Sequence, residues 1–407
     1  DYVIITNEAL LPSFDTLAEF KTRRGVKTRM KTVEEIYAEY TGDDEQEKIR
    51  NFIIDAYQNW GIDYVLLGGD EEIIPHRGLY DIVYTDPPEV DYDIAADIYY
   101  AGLDGNWNTD GDDAWGEPDE DDLLMEVSLG RAAVATSGET SNFISKMILY
   151  QESPVIDDCV EALMVGEDLE WEHVWGKDYK EEIRLGSSNY GYTTAGFPVQ
   201  FNVGTLYDYD DPNHNWSSSQ LISLLNGGMH IVNHLGHAGL IGVMKLHIND
   251  VLTSFTNDGI NTGYFFIYTQ GCYCNSFDNK TSFGIYSVDA MSEQFTCKID
   301  NGAVAFLGNT RYGWGSLVNT DGASQYFDRE FFDAIFGEEI YKIGDAQKDS
   351  KEDNIGFTGD GAIRWVYYTH TLLGDPEMDI WTDIPESLYV AHPSVVPIGT
   401  SNFTVTV

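Results

Sequence analysis

The sequence predicts an α/β protein built on mainly parallel sheets, and three observations carry that expectation. Short apolar runs recur as buried strands: "DYVIIT" (1–6), "DYVLLGGD" (63–70), "EALMVGED" (161–168) and "GYFFIYTQGC" (263–272). Helical-period segments separate successive runs, which calls for crossover connections. Two successive runs of the second half, "GMHIVNHLGH" and "GYFFIYTQGC", also deliver reactive side chains, His237 and Cys272, at their carboxyl ends.

The elements follow in order. After the first strand, "LPSFDTLAEFKTRRG" reads as a helix ended by Gly25, and "TVEEIYAEYTG" and "DEQEKIRNFIIDAYQNWG" read as two more, the second stopped by Gly61. Residues 81–122 break the pattern and are densely acidic, with 15 of the chain's 69 acidic residues and no Lys or Arg. A strand resumes in "LLMEVSLGR", then a helix near "GETSNFISKMILYQ". In the second unit, "SSSQLISLLNGG" offers a capping-box start, with Ser217 three residues before Gln220. Strand "GMHIVNHLGH", helix "INDVLTSFTNDG", strand "GYFFIYTQGC" and strand "GAVAFLGNT" complete it. The tail alternates Phe403, Val405 and Val407 and reads as the opening of a β-sandwich. The expected division is an N-terminal α/β subdomain with an acidic insertion (1–150), a catalytic subdomain (151–382) and the start of a C-terminal β-rich, Ig-like region (383–407).

Composition narrows the function classes. At 407 residues the chain is long enough for two or three domains, and 43% hydrophobic content with 26 Tyr, 19 Phe and 9 Trp excludes general disorder. No apolar run approaches the roughly 18–20 residues needed to span a bilayer. With 23 basic against 69 acidic residues the net charge is −46, a field that repels nucleic acid and favours cations and basic peptides. Four cysteines are too few for a disulfide scaffold, and a Cys159–Cys297 pair stays open. Asp1 is not an initiator Met, which leaves room for a removed signal or propeptide.

In an open parallel sheet, ligands bind outside the carboxyl ends of the strands. An imidazole beside a thiol there activates a nucleophile, because a free thiol with pKa ~8.5 is mostly protonated at neutral pH. From the residues alone three readings of Cys272 stand: packing, a Cys-x-Cys metal site with Cys274 and His234 or His237, or a nucleophile with His237 as acid and base. His230, His234 and His247 read as structural or surface histidines.

The phrases "NHLGHAG" and "IYTQGCYCNSF" resemble the histidine and cysteine blocks of the gingipain family, peptidase family C25. The segments "EFKTRRGVKTRMKTVEEI", "DYVLLGGDEEIIPHR", "VSLGRAAVAT" and "LLGDPEMDIW" sit in the same family order. The resemblance implies a caspase-like three-layer sandwich of two subdomains. It implies a secreted or cell-surface cysteine endopeptidase with Cys272 as nucleophile and His237 as acid and base, acting on peptides or proteins. Cys274 has no counterpart in it. Glu167, at the end of "ALMVGED" beside Asp168, falls where the family's orienting acid is expected. The N–H groups of Ala238 and Cys272 become the oxyanion donors; the family usually has Gly where this chain has Ala238, followed by Gly239. Asp178 falls near the spacing of a pocket acid that selects Arg or Lys, and Trp314 resembles the pocket's aromatic wall. A non-basic preference at that pocket is the alternative within enzymes. A non-catalytic calcium-binding surface module on the same fold is the alternative outside them.

"DGNWNTDGD" places oxygen donors at Asp104, Asn106, Asn108, Asp110 and Asp112, with Glu117 and Asp93 available to complete a shell. This alternation resembles calcium loops without matching the EF-hand pattern. Calcium binding by gingipain-like domains points the same way, to a structural Ca²⁺ ion; no organic cofactor is expected.

Overall fold

A computed structural model describes residues 1–170 and 173–386, together with 390, 391, 393 and 395. Strand β1 (Tyr2–Thr6) leads into α1 (Leu11–Arg23), which has proline in its first turn and ends just before Gly25 at φ +96°. The edge strand β2 (Thr28–Thr32), "TRMKT", lies where no strand is expected, because its charges mask it and suit an exposed edge. Helices α2 (Val33–Glu39) and α3 (Glu45–Trp60) start on side-chain caps from Thr32 and Asp44, and Gly61 ends α3 in the left-handed conformation. Strand β3 (Tyr64–Gly68) follows. Then comes an antiparallel hairpin, β4 (Arg77–Val83) with β5 (Glu89–Ala96), inside a stretch expected to be patternless. Its alternation is real in β4, where every second residue is buried, but the buried set includes the charged Arg77 and Asp81, which hides it in sequence.

Strand β6 (Ser128–Ala132) and helix α4 (Ser137–Glu152) close the first half. The second half runs β7 (Glu161–Gly166), α5 (Gly176–Leu185), β8 (Asn202–Tyr207), α6 (Ser218–Leu225) and β9 (Ile231–Leu235). The Ser217–Gln220 capping box forms at the start of α6. A two-residue pair, β10 (Gly242–Val243) and β11 (Leu246–His247), precedes α7 (Ile248–Ser254), β12 (Phe265–Thr269), α8 (Met291–Glu293) and β13 (Ala303–Asn309). Helices α9 (Ala323–Phe336), α10 (Ile343–Glu352) and α11 (Gly361–Thr369) and strand β14 (His370–Leu373) finish the domain.

Among the described residues ten strands join in one sheet, in the order β2-β1-β3-β6-β14-β13-β12-β9-β7-β8. All neighbours are parallel except β13 and β14, so the two halves run in opposite directions and meet at that pair. Alternate residues feed opposite faces, as strand geometry requires. Tyr2, Ile4 and Leu66 pack with α1, α4, α9 and α10, while Val3, Ile5, Val65 and Leu67 pack with α2, α3 and α11. In the second half Leu163, Val165, Val232 and Ile267 face α6 and α7. The result is a three-layer sandwich with helices on both sides of the sheet. The β-rich tail expected over 383–407 lies, from 387 on, outside the described residues except for 390, 391, 393 and 395.

Candidate active site

Strand β7 marks a reversal of strand order: β8 lies on one side of it, β9 and then β12 on the other. At such a reversal the loops diverge and leave a crevice at the carboxyl ends of the strands. Glu167 stands one residue past β7, His237 two past β9 and Cys272 three past β12. His237 and Cys272 line one cleft, walled also by Leu169, Tyr179, Leu235, Gln270, Trp314 and Ser324.

The histidine and cysteine loops touch. A Cβ on Gly271 would lie 2.6 Å from the Ala238 methyl group, so glycine is demanded by close approach and not by a left-handed turn. Ala238 does not adopt a positive φ either, so alanine there carries no backbone strain. The N–H groups of Ala238 and Cys272 meet no acceptor among the described residues. The amides just before them are held: His237 N–H donates to Glu167 Oε2 at 3.2 Å, and Gly271 N–H to Thr269 Oγ1 at 3.0 Å. Two free donors on adjoining loops, beside a thiol, are what a developing oxyanion requires.

The Cys272 thiol is held above its ordinary pKa by burial, partly offset by the Gly313 N–H that points at Sγ from 3.4 Å. Cys274 is fully buried outside the cleft with Sγ 3.6 Å from the Gly271 carbonyl, and burial pushes its thiol up. All four cysteines are free, Cys159 and Cys297 included. The His237 ring is exposed and hydrogen-bonds to no described residue.

Glu167 does not meet the His237 ring. Its Oε1 faces Nε2 of His234 at 3.1 Å, and its Oε2 takes the His237 backbone N–H. His234, read from sequence as structural or surface, is fully buried and reaches Thr269 Oγ1 with Nδ1 at 2.8 Å. Its spacing before His237 carried no signal, because the partners that give it a role come from two other strands.

Asp178 lies outside the cleft. It is exposed and accepts the Trp175 N–H at 2.8 Å, capping α5. Consecutive helical residues point about 100° apart, so it is Tyr179 that turns toward the cleft. There its hydroxyl holds the Ser316 and Asn319 carbonyls of the loop that carries Trp314. No carboxylate lines the cleft among the described residues. Asp328, reached through Gln270 Nε2, is already paired with Lys180 at 2.5 Å and with Asn233.

In the acidic insertion, Asp110, Asp112 and Glu117 bring carboxylate oxygens within 4.8 Å of one another. The Asn106 and Asn108 side chains are spent on turns of their own loop, accepting from the N–H groups of Asn108 and Gly111. Asp104 offers its carbonyl to Arg50, and Asp93 pairs with His76 at 3.2 Å, away from this group. A second convergence, not visible in sequence, unites Asp70, Asp289 and Glu293, again within 4.8 Å. Glu293 is fully buried with no partner for Oε2, and burial raises its carboxyl and that of Asp70, the latter to about 6.

Comparison with known proteins bears on this geometry. The model of peptidase family C25 matches residues 1–381. The fold superposes on an Arg-specific cysteine proteinase, gingipain R (RgpB), with a TM-score of 0.73, at 20% identity over 99% of this chain and 83% of that one. The complex of the Porphyromonas gingivalis RgpB pro- and mature domains gives the same score and identity, over 99% and 85%. A structure described as a protease matches at 0.73 and 16% identity, over 100% and 84%. No curated protein matches the chain in sequence.

Proposed function

The chain belongs to peptidase family C25 and is a cysteine-type peptidase, and on that premise we propose that it is an endopeptidase working through Cys272 and His237. The observation that carries the reading is the shared cleft, with two unpaired N–H donors on touching loops beside the thiol. The Cys272 thiol gives its proton to the His237 imidazole as sulfur attacks the scissile carbonyl. The carbonyl oxygen takes the negative charge and accepts from the N–H groups of Ala238 and Cys272. The imidazolium then protonates the leaving amine, the C–N bond breaks, and a thioester remains. Water, deprotonated by His237, attacks the thioester carbon, and the thiolate leaves with the proton from the imidazolium.

The substrate is a peptide or protein, and the enzyme is secreted or held at the cell surface. Among the described residues no helix is long and apolar enough to cross a membrane. At the residue before the scissile bond, the cleft favours an uncharged side chain. Its walls are Leu169, Leu235, Tyr179 and Trp314, its polar groups Gln270 and Ser324. An Arg or Lys head buried there would lack an anionic partner among the described residues, a heavier cost than an apolar side chain meets. Fluorogenic peptides with Leu, Met, Gln, Arg and Lys at this position test both claims, run with the wild type and Cys272→Ala. Equal turnover by the alanine variant sinks the dyad; preference for Arg or Lys sinks the pocket reading.

Calcium is the cofactor we propose, because both acidic convergences offer only hard oxygen donors. Asp110, Asp112 and Glu117 would hold one ion and Asp70, Asp289 and Glu293 another, relieving repulsion between carboxylates. Chelation should lower the melting temperature and added calcium restore it; an unchanged curve would count against a structural ion.

A further inference from the structure

Glu167, His234 and Thr269 form one buried chain between the two loops of the cleft. The Thr269 hydroxyl accepts the Gly271 N–H and shares a hydrogen bond with His234 Nδ1. A carboxylate only accepts, so His234 donates its Nε2–H to Glu167 Oε1. The other carboxylate oxygen takes the His237 N–H. Each end of the chain thus grips the amide immediately before a free donor: Gly271 before Cys272, His237 before Ala238. Space is built around this arrangement. A Cβ on Gly236 would fall 2.2 Å from Glu167 Cδ and 2.6 Å from His234 Nε2, and one on Gly176 would meet the Glu167 backbone at 2.8 Å.

We propose that Thr269, His234 and Glu167 are positioning residues that bracket the two oxyanion donors, fixing the Ala238 and Cys272 N–H groups relative to one another. The inference rests on the peptidase reading. A peptide plane whose N–H is anchored fixes the dihedral that aims the next N–H, and one imidazole joining two anchors sets the gap between the donors. Because the bracket touches neither the thiol nor the His237 ring, it acts on the transition state and leaves thiol reactivity alone.

Thr269→Val keeps the shape and removes the hydroxyl; Thr269→Ser keeps the hydroxyl. Thr269→Val should lower kcat by about tenfold or more, short of the roughly 10²–10³ seen when an oxyanion donor is deleted outright. KM and the rate of Cys272 alkylation by iodoacetamide should stay within about twofold, and Thr269→Ser should recover most of kcat. An unchanged kcat in Thr269→Val, or a loss that the serine variant shares, overturns the bracket. Amide hydrogen exchange provides a readout that does not need turnover. Thr269→Val should speed exchange at Gly271 and also at His237, across the chain; acceleration confined to Gly271 overturns the coupling. Wild type and Cys272→Ala turning over equally would instead overturn the peptidase reading, with the exchange result still deciding the bracket.

Discussion

Burial sets the resting state of the Cys272 thiol. Taking it out of water raises its pKa, and a single Gly313 N–H offsets only part of that cost. Iodoacetamide labelling of Cys272 should therefore be slow at pH 7 and climb through the alkaline range; fast labelling below pH 7 would show a thiolate already formed. In the dyad we propose, deprotonation then falls to His237, whose ring bonds to no described residue. Gly271 is the other sensitive position. Gly271→Ala would drive a methyl group into Ala238 at 2.6 Å, a contact neither loop can relieve without separating the donors. Much of this was legible: the two reactive residues end successive apolar runs. The role of His234 was not, since Glu167 and Thr269 reach it from strands far away in sequence.

Among the elements, the β4–β5 hairpin depends on one buried arginine. Arg131 in β6 donates to both oxygens of Asp97, just past β5, and to the Gly69 and Ile74 carbonyls. Arg131→Ala should cost about 3–5 kcal/mol in urea unfolding, the scale of a buried pair broken on one side. Removing the charge as well, with Asp97→Leu and Arg131→Met together, should recover only part of that loss. Two carbonyls would remain unpaired at about 1–3 kcal/mol each. Full recovery would show that the carbonyls find water instead. In α5 the lesson is angular: the acid expected in the pocket caps the helix, and its neighbour Tyr179 faces the cleft. Spacing in sequence locates a turn of helix but leaves the face to packing.

For the whole molecule, an excess of acid has a cost that pH can relieve. Burial raises Asp81 and Asp349 to about 7, and burial with a bond to Asp353 raises Glu330 to about 8. The folded protein binds these protons up to pH 7–8, while the unfolded chain releases them near 4, so their stabilisation is lost as pH rises through 7–8. His230 and His370 act oppositely: burial lowers them to about 4 and about 3, so stability is lost as pH falls below 6.5. Lys146 and Lys351, lowered to about 7 by burial, also oppose the acids as pH falls toward 7, so the carboxyl contribution is read as a difference between variants. As pH is lowered from 8 to 6.5, the wild type should gain melting temperature relative to Glu330→Gln. A difference between the two that stays constant over that interval would count against a raised Glu330.

By itself the sequence determined the α/β class, the main strands, several helix caps and the identity of a thiol and an imidazole at neighbouring strand ends. These are local matters, set by hydrophobic period and capping chemistry that each segment carries within itself. Only the tertiary structure decided that ten strands share one sheet whose halves run in opposite senses. It alone showed that Glu167 serves a backbone amide and His234, and that no described acid lines the cleft. Those outcomes depend on which side chains from distant segments meet in the low-dielectric interior. Pairing there is chosen by burial and hydrogen-bond satisfaction over the whole chain.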